Sequence, residues 1–274
     1  MRKAGQTAGE ARARGTRAHV LRKHTFYYAE SIIKGDLPSM EHPFFSLRAG
    51  DTRVREYKYG EAQISIKPGA GGCATIHDKD IWFYCIGKVI ESLNKGEKTG
   101  RTVRFTAYDF LAKTRRGVSG DSYKRLAEAL GRLRGTSIET NIETAGLRER
   151  AGFGLIDDWR IVEKDNDERM IALEVTLPRW LFRAIKDGKV LTVNPGYFCL
   201  RSALARRLYE LARKHCGRQL KWKVSVQVLW LKSGSADVLR NFRNSIKLLC
   251  RKNNLPDYRL SYDPEEDSVT FSAR

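Results

Sequence analysis

The stretch from Arg207 to Ala212, with the sequence Arg-Leu-Tyr-Glu-Leu-Ala, decides the fold that we predict for this chain. It lies within residues 200–216, where leucines recur every three or four positions and predict one amphipathic helix whose apolar stripe packs in a core. A short basic strand, a small helix, a glycine turn at 233–235 and a long basic helix follow, and two strands close the chain. That order is typical of a winged helix-turn-helix, whose second helix enters the major groove of DNA.

A similar order of elements is predicted upstream, in residues 78–176. We expect, in turn, a helix capped by Asp78, a strand at 102–105, and two helices capped by Thr106 and Ser119. Three further strands, at 136–143, 153–163 and 169–176, are predicted to close this group as its wing.

The two groups also match in individual residues. Arg104-Phe105-Thr106 matches Lys223-Val224-Ser225 at the predicted junction between strand and helix. Capping alone explains serine and threonine at these points, so the match supports duplication of the fold and says nothing of function. We therefore predict an α+β fold with two tandem winged helix-turn-helix domains. The predicted segments are a basic N-terminal arm at 1–38 with a short helix at 26–37, a first domain at 39–193 and a second domain at 194–274.

The chain has a net charge of +19, from 51 lysines and arginines against 32 aspartates and glutamates in 274 residues. Such a charge favours a polyanionic partner, because a compact chain otherwise bears its self-repulsion without compensation. Charge alone does not separate DNA from RNA or from an acidic membrane surface. The positions of the basic residues therefore decide among these partners.

The five cysteines are scattered and form no Cys-x-x-Cys pair, so neither a zinc site nor a disulfide framework is predicted. Free thiols in a reducing compartment fit this pattern. No apolar segment is long enough to span a membrane, and the N-terminus has no apolar signal-peptide region. We therefore expect a cytoplasmic protein with no metal, no cofactor and no membrane partner.

The last long helix, which we expect to begin at Ser235, has its apolar residues on one side and its basic residues on the other. Arginine can bind guanine in a bidentate manner and asparagine can do so with adenine, whereas lysine mostly serves phosphate. No acidic residue follows position 238 in this helix. The predicted DNA contacts here are Ser235, Arg240, Arg243, Asn244, Lys247 and Arg251.

The equivalent helix of the first domain has a mixed face, because Asp121 and Glu128 lie among its basic residues. Carboxylates repel phosphate, although glutamate can accept a hydrogen bond from cytosine. The second domain is therefore predicted to dominate sequence recognition. Further predicted DNA contacts are Lys124, Arg125 and Arg132 in this helix, Arg115 and Arg116 in the turn before it, and Arg206 as a phosphate contact in the first helix of the second domain.

Motifs of the common nucleic-acid enzymes are missing from the sequence. There is no GxxxxGK[ST] loop, and the five histidines contain no His-x-His pair of the kind that relaxases use. His77-Asp78-Lys79-Asp80 contains catalytic residue types, but acids at the start of a helix are expected for capping and for the helix dipole. The sequence predicts a protein that is not an enzyme, although spacing alone leaves open a scattered carboxylate trio for a two-metal nuclease.

Five segments carry a resemblance to a known family, among them Glu-His-Pro-Phe-Phe-Ser-Leu at 41–47 and Ile-His-Asp-Lys-Asp at 76–80. Through them the chain resembles the plasmid replication initiator protein A (RepA) family. The helix with Arg-Leu-Tyr-Glu-Leu is also similar to more distant winged-helix plasmid initiators. The full segments are 39–47, 74–81, 101–109, 152–160 and 206–217.

The resemblance implies an initiator that binds repeated sequences (iterons) in double-stranded DNA at a plasmid origin and promotes local opening of the duplex. It implies recruitment of a host replication initiator and the replicative helicase, control of copy number, and a homodimer that represses its own gene. The residues alone leave three alternatives: a winged-helix transcriptional repressor, a DNA-nicking enzyme and an RNA-binding protein. The last of these fits poorly, since the basic groups lie on a groove-sized helix and not on a sheet.

Overall fold

The computed structural model describes residues 33–141, 143–144, 147–148, 151–163, 170–217 and 219–274. The elements up to residue 163 are β1 (Lys34–Asp36), α1 (Leu37–Glu41), β2 (Arg55–Tyr59), β3 (Ala62–Lys67), α2 (Lys79–Asn94), β4 (Thr102–Phe105), α3 (Ala107–Lys113), α4 (Gly120–Gly135), β5 (Ser137–Thr140), β6 (Glu143–Thr144), β7 (Leu147–Arg148), β8 (Ala151–Gly154) and β9 (Asp158–Glu163). The later elements are β10 (Met170–Thr176), α5 (Arg179–Lys186), β11 (Val190–Thr192), a 3-10 helix (Pro195–Cys199), α6 (Ala203–Cys216), β12 (Lys221–Ser225), α7 (Val226–Ser233), α8 (Leu239–Lys252), β13 (Tyr258–Asp263) and β14 (Ser268–Ala273).

Two groups of elements in this mixed α/β fold share one order and one sheet topology. The first group is α2, β4, α3, α4, β9 and β10, and the second is α6, β12, α7, α8, β13 and β14. Their antiparallel sheets have the spatial orders β4-β10-β9 and β12-β14-β13. In each sheet the strand that comes last in the chain lies in the middle, between the other two. Thr106 and Ser225 occupy equivalent places, where their hydroxyls accept backbone N–H bonds and cap α3 and α7. The predicted internal repeat is therefore present in the structure.

The strand β5 does not belong to the hairpin of the first group, and the prediction that 136–143 forms part of it is wrong. It lies instead in a four-stranded antiparallel sheet of order β2-β3-β5-β8. The predicted strand 153–163 is divided into β8 and β9, which belong to different sheets. Leu155 and Ile156 between them are both fully buried. Because successive strand residues point to opposite faces, burial of both in one core requires the chain to leave the strand here.

Buried hydrophobic side chains of the described residues form two clusters. One cluster surrounds α2 and α4, with Cys85 and Leu130 fully buried in it. The other surrounds α6 and α8, with Leu208 and Phe242 fully buried in it. The leucine stripe of 200–211 contributes to this second cluster, as predicted. The proposed domain boundary between residues 193 and 194 stays a prediction.

The predicted start of α8 is wrong, and the predicted side-chain caps at Asp78 and Ser119 are not made, although α2 and α4 begin directly after these residues. Ser235 does not begin α8, because Trp230 Nε1 donates to the carbonyl of Asp237 at 2.8 Å and holds the preceding segment extended. Asp78 precedes α2 without capping it, since its carboxylate accepts from the Thr75 N–H instead. The predicted helix at 26–37 lies outside the described residues as far as position 32, and residues 34–36 form β1, which pairs with β11.

Candidate nucleic-acid interface

The helix α8 is anchored by one apolar face. Phe242, Ile246 and Leu249 are buried in the second cluster, at spacings of four and three residues that bring them to one side of the helix. The hairpin of β13 and β14 follows directly and packs beside the helix. The opposite side of α8 points away from this cluster.

That opposite side carries three of the predicted contact residues in exposed positions. Arg240, Asn244 and Arg251 are exposed. Within the part of the chain that the structure describes, none of the three makes a hydrogen bond or an ion pair through its side chain. Since α8 contains no acidic residue, these donors are uncommitted and face solvent without a competing carboxylate.

Arg243 and Lys247 lie on the same helix but turn toward the hairpin. Arg243 donates two hydrogen bonds of 2.8 Å to the carboxylate of Asp267, which also accepts from Tyr262 at 3.0 Å. The hydrogen bonds from Arg243 lower the pKa of Asp267. The ammonium of Lys247 lies 5.1 Å from the centre of the Tyr262 ring. These contacts join α8 to the hairpin, so both cations already have a partner within the fold.

Ser235 lies in the turn before α8 and is partly buried. Its hydroxyl accepts a hydrogen bond from the N–H of Asp237 at 3.2 Å, and its own N–H donates to Ser233. Gly234 ends α7 with a φ of +71°, and an added Cβ would meet the ring of Pro43 at 2.5 Å. Ser235 therefore stabilises a close turn, and its role as a DNA contact stays a prediction.

In the first group, the predicted contacts on α4 divide into two kinds. Lys124 and Arg125 are exposed, and neither has an ion pair with another described residue. Arg132 instead donates to both oxygens of Asp78, at 2.8 and 2.9 Å, which joins α4 to the start of α2. Of the contacts predicted on α4, Lys124 and Arg125 are therefore available to a groove, whereas Arg132 is engaged inside the fold.

The two arginines of the turn before α4 are also engaged. Arg115 has a φ of 55° and donates to the sulfur of Cys199 at 3.0 Å, although its side chain is exposed. Arg116 donates to Asp80 at 2.7 Å and to the carbonyl of His77 at 2.6 Å. Arg116 is thus held against α2, and only Arg115 of this pair extends into solvent.

Sequence reasoning missed a buried network of charges between α2 and α6. Lys79 donates to Glu210 at 2.8 Å, and Arg206 donates to Asp80. Lys79 and Asp80 are fully buried, and Arg206 is 4% exposed. The interpretation of Arg206 as a phosphate contact is therefore wrong. The acids of 77–80 also do more than favour a helix start, since Asp80 forms ion pairs with both Arg116 and Arg206.

The ordinary signals of buried residues do not reveal such a network. Glu210 is 131 residues from Lys79 along the chain, so no local spacing connects them. The available signal is that Arg207 and Glu210 flank Leu208 and Leu211 in a helix rich in apolar residues. In the structure both charged residues are buried together with the leucines, at 2% and 1% exposure.

No group of three or more potential metal ligands is found among the described residues. The five cysteines are free thiols in the structure, and burial raises the pKa of Cys85 well above the range of a reactive thiol. None of the helices in the described ranges is both long enough and apolar enough to cross a membrane.

Known sequences similar to this chain point in one direction. The family model described as Replication initiator protein A matches residues 34–260. A protein of Wigglesworthia glossinidia brevipalpis that is provisionally named a replication protein is 45% identical over 256 residues, which cover 91% of this chain and 93% of the relative.

Two solved structures are similar in fold. The crystal structure of domains 2 and 3 of RctB, determined as a selenomethionine derivative, matches with a TM-score of 0.63 over 86% of this chain and 95% of that chain. A second crystal structure of RctB domains 2–3 matches with a TM-score of 0.57 over 86% and 96%. Both are 12% identical to this chain, so the likeness concerns the fold alone.

Proposed function

The chain belongs to the replication initiator protein A family, and from this premise we propose that it binds iterons at a plasmid origin, promotes local opening of the duplex and recruits host replication proteins. We assign the two repeated groups of elements to two winged helix-turn-helix domains, with α4 and α8 as their second helices. In this assignment the hairpins β9–β10 and β13–β14 are the wings.

The observation that carries the proposal is the exposed side of α8. Arg240, Asn244 and Arg251 present donors to solvent from a helix without acids, and the opposite side is fixed in the core. The major groove admits one helix with its side chains, and its base edges offer acceptors to arginine and asparagine. The same side chains on a general solvated surface would be mixed with carboxylates.

The second hairpin supports α8 and does not itself suit DNA. Its turn carries Asp263, Glu265, Glu266 and Asp267, which would repel phosphate. Arg243 holds Asp267 and so fixes the hairpin against the helix. We therefore place the DNA contacts of the second domain on α8, with Lys247 as a phosphate contact at its edge.

The first domain supplies a second, less specific contact through Lys124 and Arg125 of α4. Two linked binding domains gain affinity because the second binding event becomes intramolecular. Several bound copies would bend and strain an A·T-rich neighbouring segment, and protein–DNA contacts would offset the cost of unstacking. The protein acts in the cytoplasm and without catalysis in this proposal, and its dimer represses its own gene.

Footprinting and gel-shift binding on the DNA that flanks this gene test the proposal. Protection of several direct repeats is expected, with an affinity that falls steeply as salt rises, because basic residues release counterions from DNA. Arg240→Ala should weaken binding, whereas the matched control Arg179→Ala, an exposed arginine on α5, should not.

Other outcomes favour other functions. Protection of one inverted site would indicate a transcriptional repressor with the same contacts. Metal-dependent nicking of the origin duplex would indicate a nuclease. Equal affinity for random duplex at every salt concentration would contradict the proposed initiator.

A further inference from the structure

One exposed residue of α8 does not fit the polar character of its surroundings. Leu248 is 50% exposed, although the helix buries its other large apolar side chains wholly or in part. The apolar face is already complete, with Phe242, Ile246 and Leu249 in the core. Leu248 is therefore an apolar group presented to solvent on the side that faces away from the core.

Helix geometry places Leu248 among the candidate base contacts. At about 100° per residue, Leu248 projects between Asn244 and Asn241, and it precedes Arg251 by three residues on the same side. Arg243 and Lys247, which turn toward the hairpin, leave this side of the helix. The groove-facing set is therefore Arg240, Asn241, Asn244, Leu248 and Arg251.

Resting on the function proposed above, we infer that Leu248 forms an apolar subsite for the C5-methyl group of a thymine in the major groove. Thymine alone among the four bases presents a methyl group there, and apolar side chains recognise it by contact. A leucine in the middle of a helix rich in hydrogen-bond donors can add an A·T requirement that arginine and asparagine do not supply.

The charges near Leu248 favour DNA, and not a second copy of this chain, as the partner of this side of α8. Arg251 and Lys252 follow Leu248 by three and four residues on the exposed side, and Arg240 lies about two turns earlier. The helix contains no acid to pair with the same cations of a partner helix. The chain as a whole has a net charge of +19. A polyanion compensates these charges, whereas contact between two α8 helices would bring like charges together.

Replacement of each thymidine in the protected repeat by deoxyuridine, one position at a time, tests this subsite. Deoxyuridine pairs with adenine as thymidine does but lacks the C5-methyl group. With the full-length protein, one position should lose about fourfold in affinity, which is the effect of exposing one methyl group to water. Leu248→Ala should bind the thymidine duplex about as weakly as the wild type binds the deoxyuridine duplex, and should be indifferent to the replacement.

Two further variants sharpen the test. Leu248→Met keeps an apolar contact and should keep the discrimination between thymidine and deoxyuridine. Leu220→Ala removes another exposed leucine, 78% exposed before β12, and should leave the whole scan unchanged.

Three outcomes would overturn the inference. Specific binding with no sensitive thymidine would reject a methyl subsite while the proposed function stands. A sensitive thymidine whose effect persists in Leu248→Ala would assign the methyl contact to another residue. Absence of any sequence-specific binding would overturn the proposed function together with this subsite.

Discussion

Arg240 and Arg243 are the same residue type, three positions apart on one helix, yet their surroundings give them different roles. Arg240 is exposed and uncommitted, whereas Arg243 is paired with Asp267. We expect Arg240→Ala to cost about 1–3 kcal/mol of binding free energy on the protected repeat and to relax specificity at one base pair. Asn244→Ala should do the same at a neighbouring base pair. Gel shifts on duplexes substituted at each position measure both effects.

Arg243→Ala is the contrasting variant on the same helix. Because Arg243 joins α8 to the hairpin, its loss should weaken binding on all sequences alike. If Arg240→Ala instead weakened binding equally on every duplex, Arg240 would be a phosphate contact and not a base contact.

His42 gives the fold a dependence on pH. Burial lowers the pKa of His42 to about 4, and the nearby Glu41 only partly offsets this effect. The unfolded chain protonates near the ordinary value of about 6.5, so its imidazole binds protons more readily than the folded one. The contribution of His42 to stability is therefore complete above pH 6.5 and is lost as the pH falls toward 4. At pH 5 the loss should be about 2 kcal/mol.

Urea denaturation at a series of pH values from 8 to 5 measures this loss. His42→Gln, which stays neutral, should show a smaller decrease in the free energy of unfolding over the same range. Burial also lowers the pKa of His77, so part of the decrease should remain in the variant. An identical decrease in wild type and His42→Gln would contradict the assignment.

At the scale of elements, four hydroxyl residues with similar sequence signals make different contacts. Thr106 and Ser225 accept backbone N–H bonds at the starts of α3 and α7, whereas Ser119 makes no such cap and Ser235 lies before the start of α8. We expect Thr106→Ala and Ser225→Ala each to lower the free energy of unfolding by about 1 kcal/mol. Ser119→Ala is the matched control and should change it by less than about 0.5 kcal/mol. Urea denaturation compares the three variants, and equal losses in all of them would contradict the observed caps.

The same residues show what the sequence could and could not predict. Apolar spacing predicted α2, α4, α6 and α8 within a few residues, because burial imposes a 3.6-residue period on the sequence. The start of α8 was missed, since Trp230 holds the preceding segment through a tertiary contact. The sheet of β5 was missed as well, because strand alternation predicts a strand without naming its partner.

The sequence predicted which basic and amide residues lie along α8. It did not predict which of their side chains point to solvent and which contact the hairpin. A helical wheel places Arg243 and Lys247 beside Arg240 and does not contain the hairpin. Only the folded chain brings Asp267 and Tyr262 to the two cations and turns their side chains away from the side proposed to face the groove. Leu248 lies on that side by helix geometry, and the structure adds that it is 50% exposed.

At the scale of the whole molecule, the two repeats meet through buried charge. The first helices of the repeats, α2 and α6, are joined by Lys79–Glu210 and by Asp80–Arg206. Arg207 adds hydrogen bonds to the carbonyls of Met40 and Lys232, at 2.9 and 2.7 Å. Buried ion pairs stabilise little against apolar residues of the same size, yet losing one partner is costly. We therefore expect the network to fix how α2 and α6 pack together more than it raises stability.

Glu210 forms ion pairs with both Lys79 and Arg207, whereas Lys79 has an ion pair only with Glu210 among the described residues. Replacing Glu210 should therefore cost more stability than replacing Lys79. Glu210→Met leaves both Lys79 and Arg207 without their carboxylate and should lower the free energy of unfolding by about 3–5 kcal/mol. Lys79→Met should cost clearly less, because Glu210 keeps Tyr197 at 2.7 Å and Arg207 at 3.2 Å. Urea denaturation followed by tryptophan fluorescence measures both. The double variant should recover much of the loss of Glu210→Met, since it removes the uncompensated ammonium of Lys79. Equal losses in the two single variants would mean that the network is a simple pair, without the asymmetry that its geometry implies.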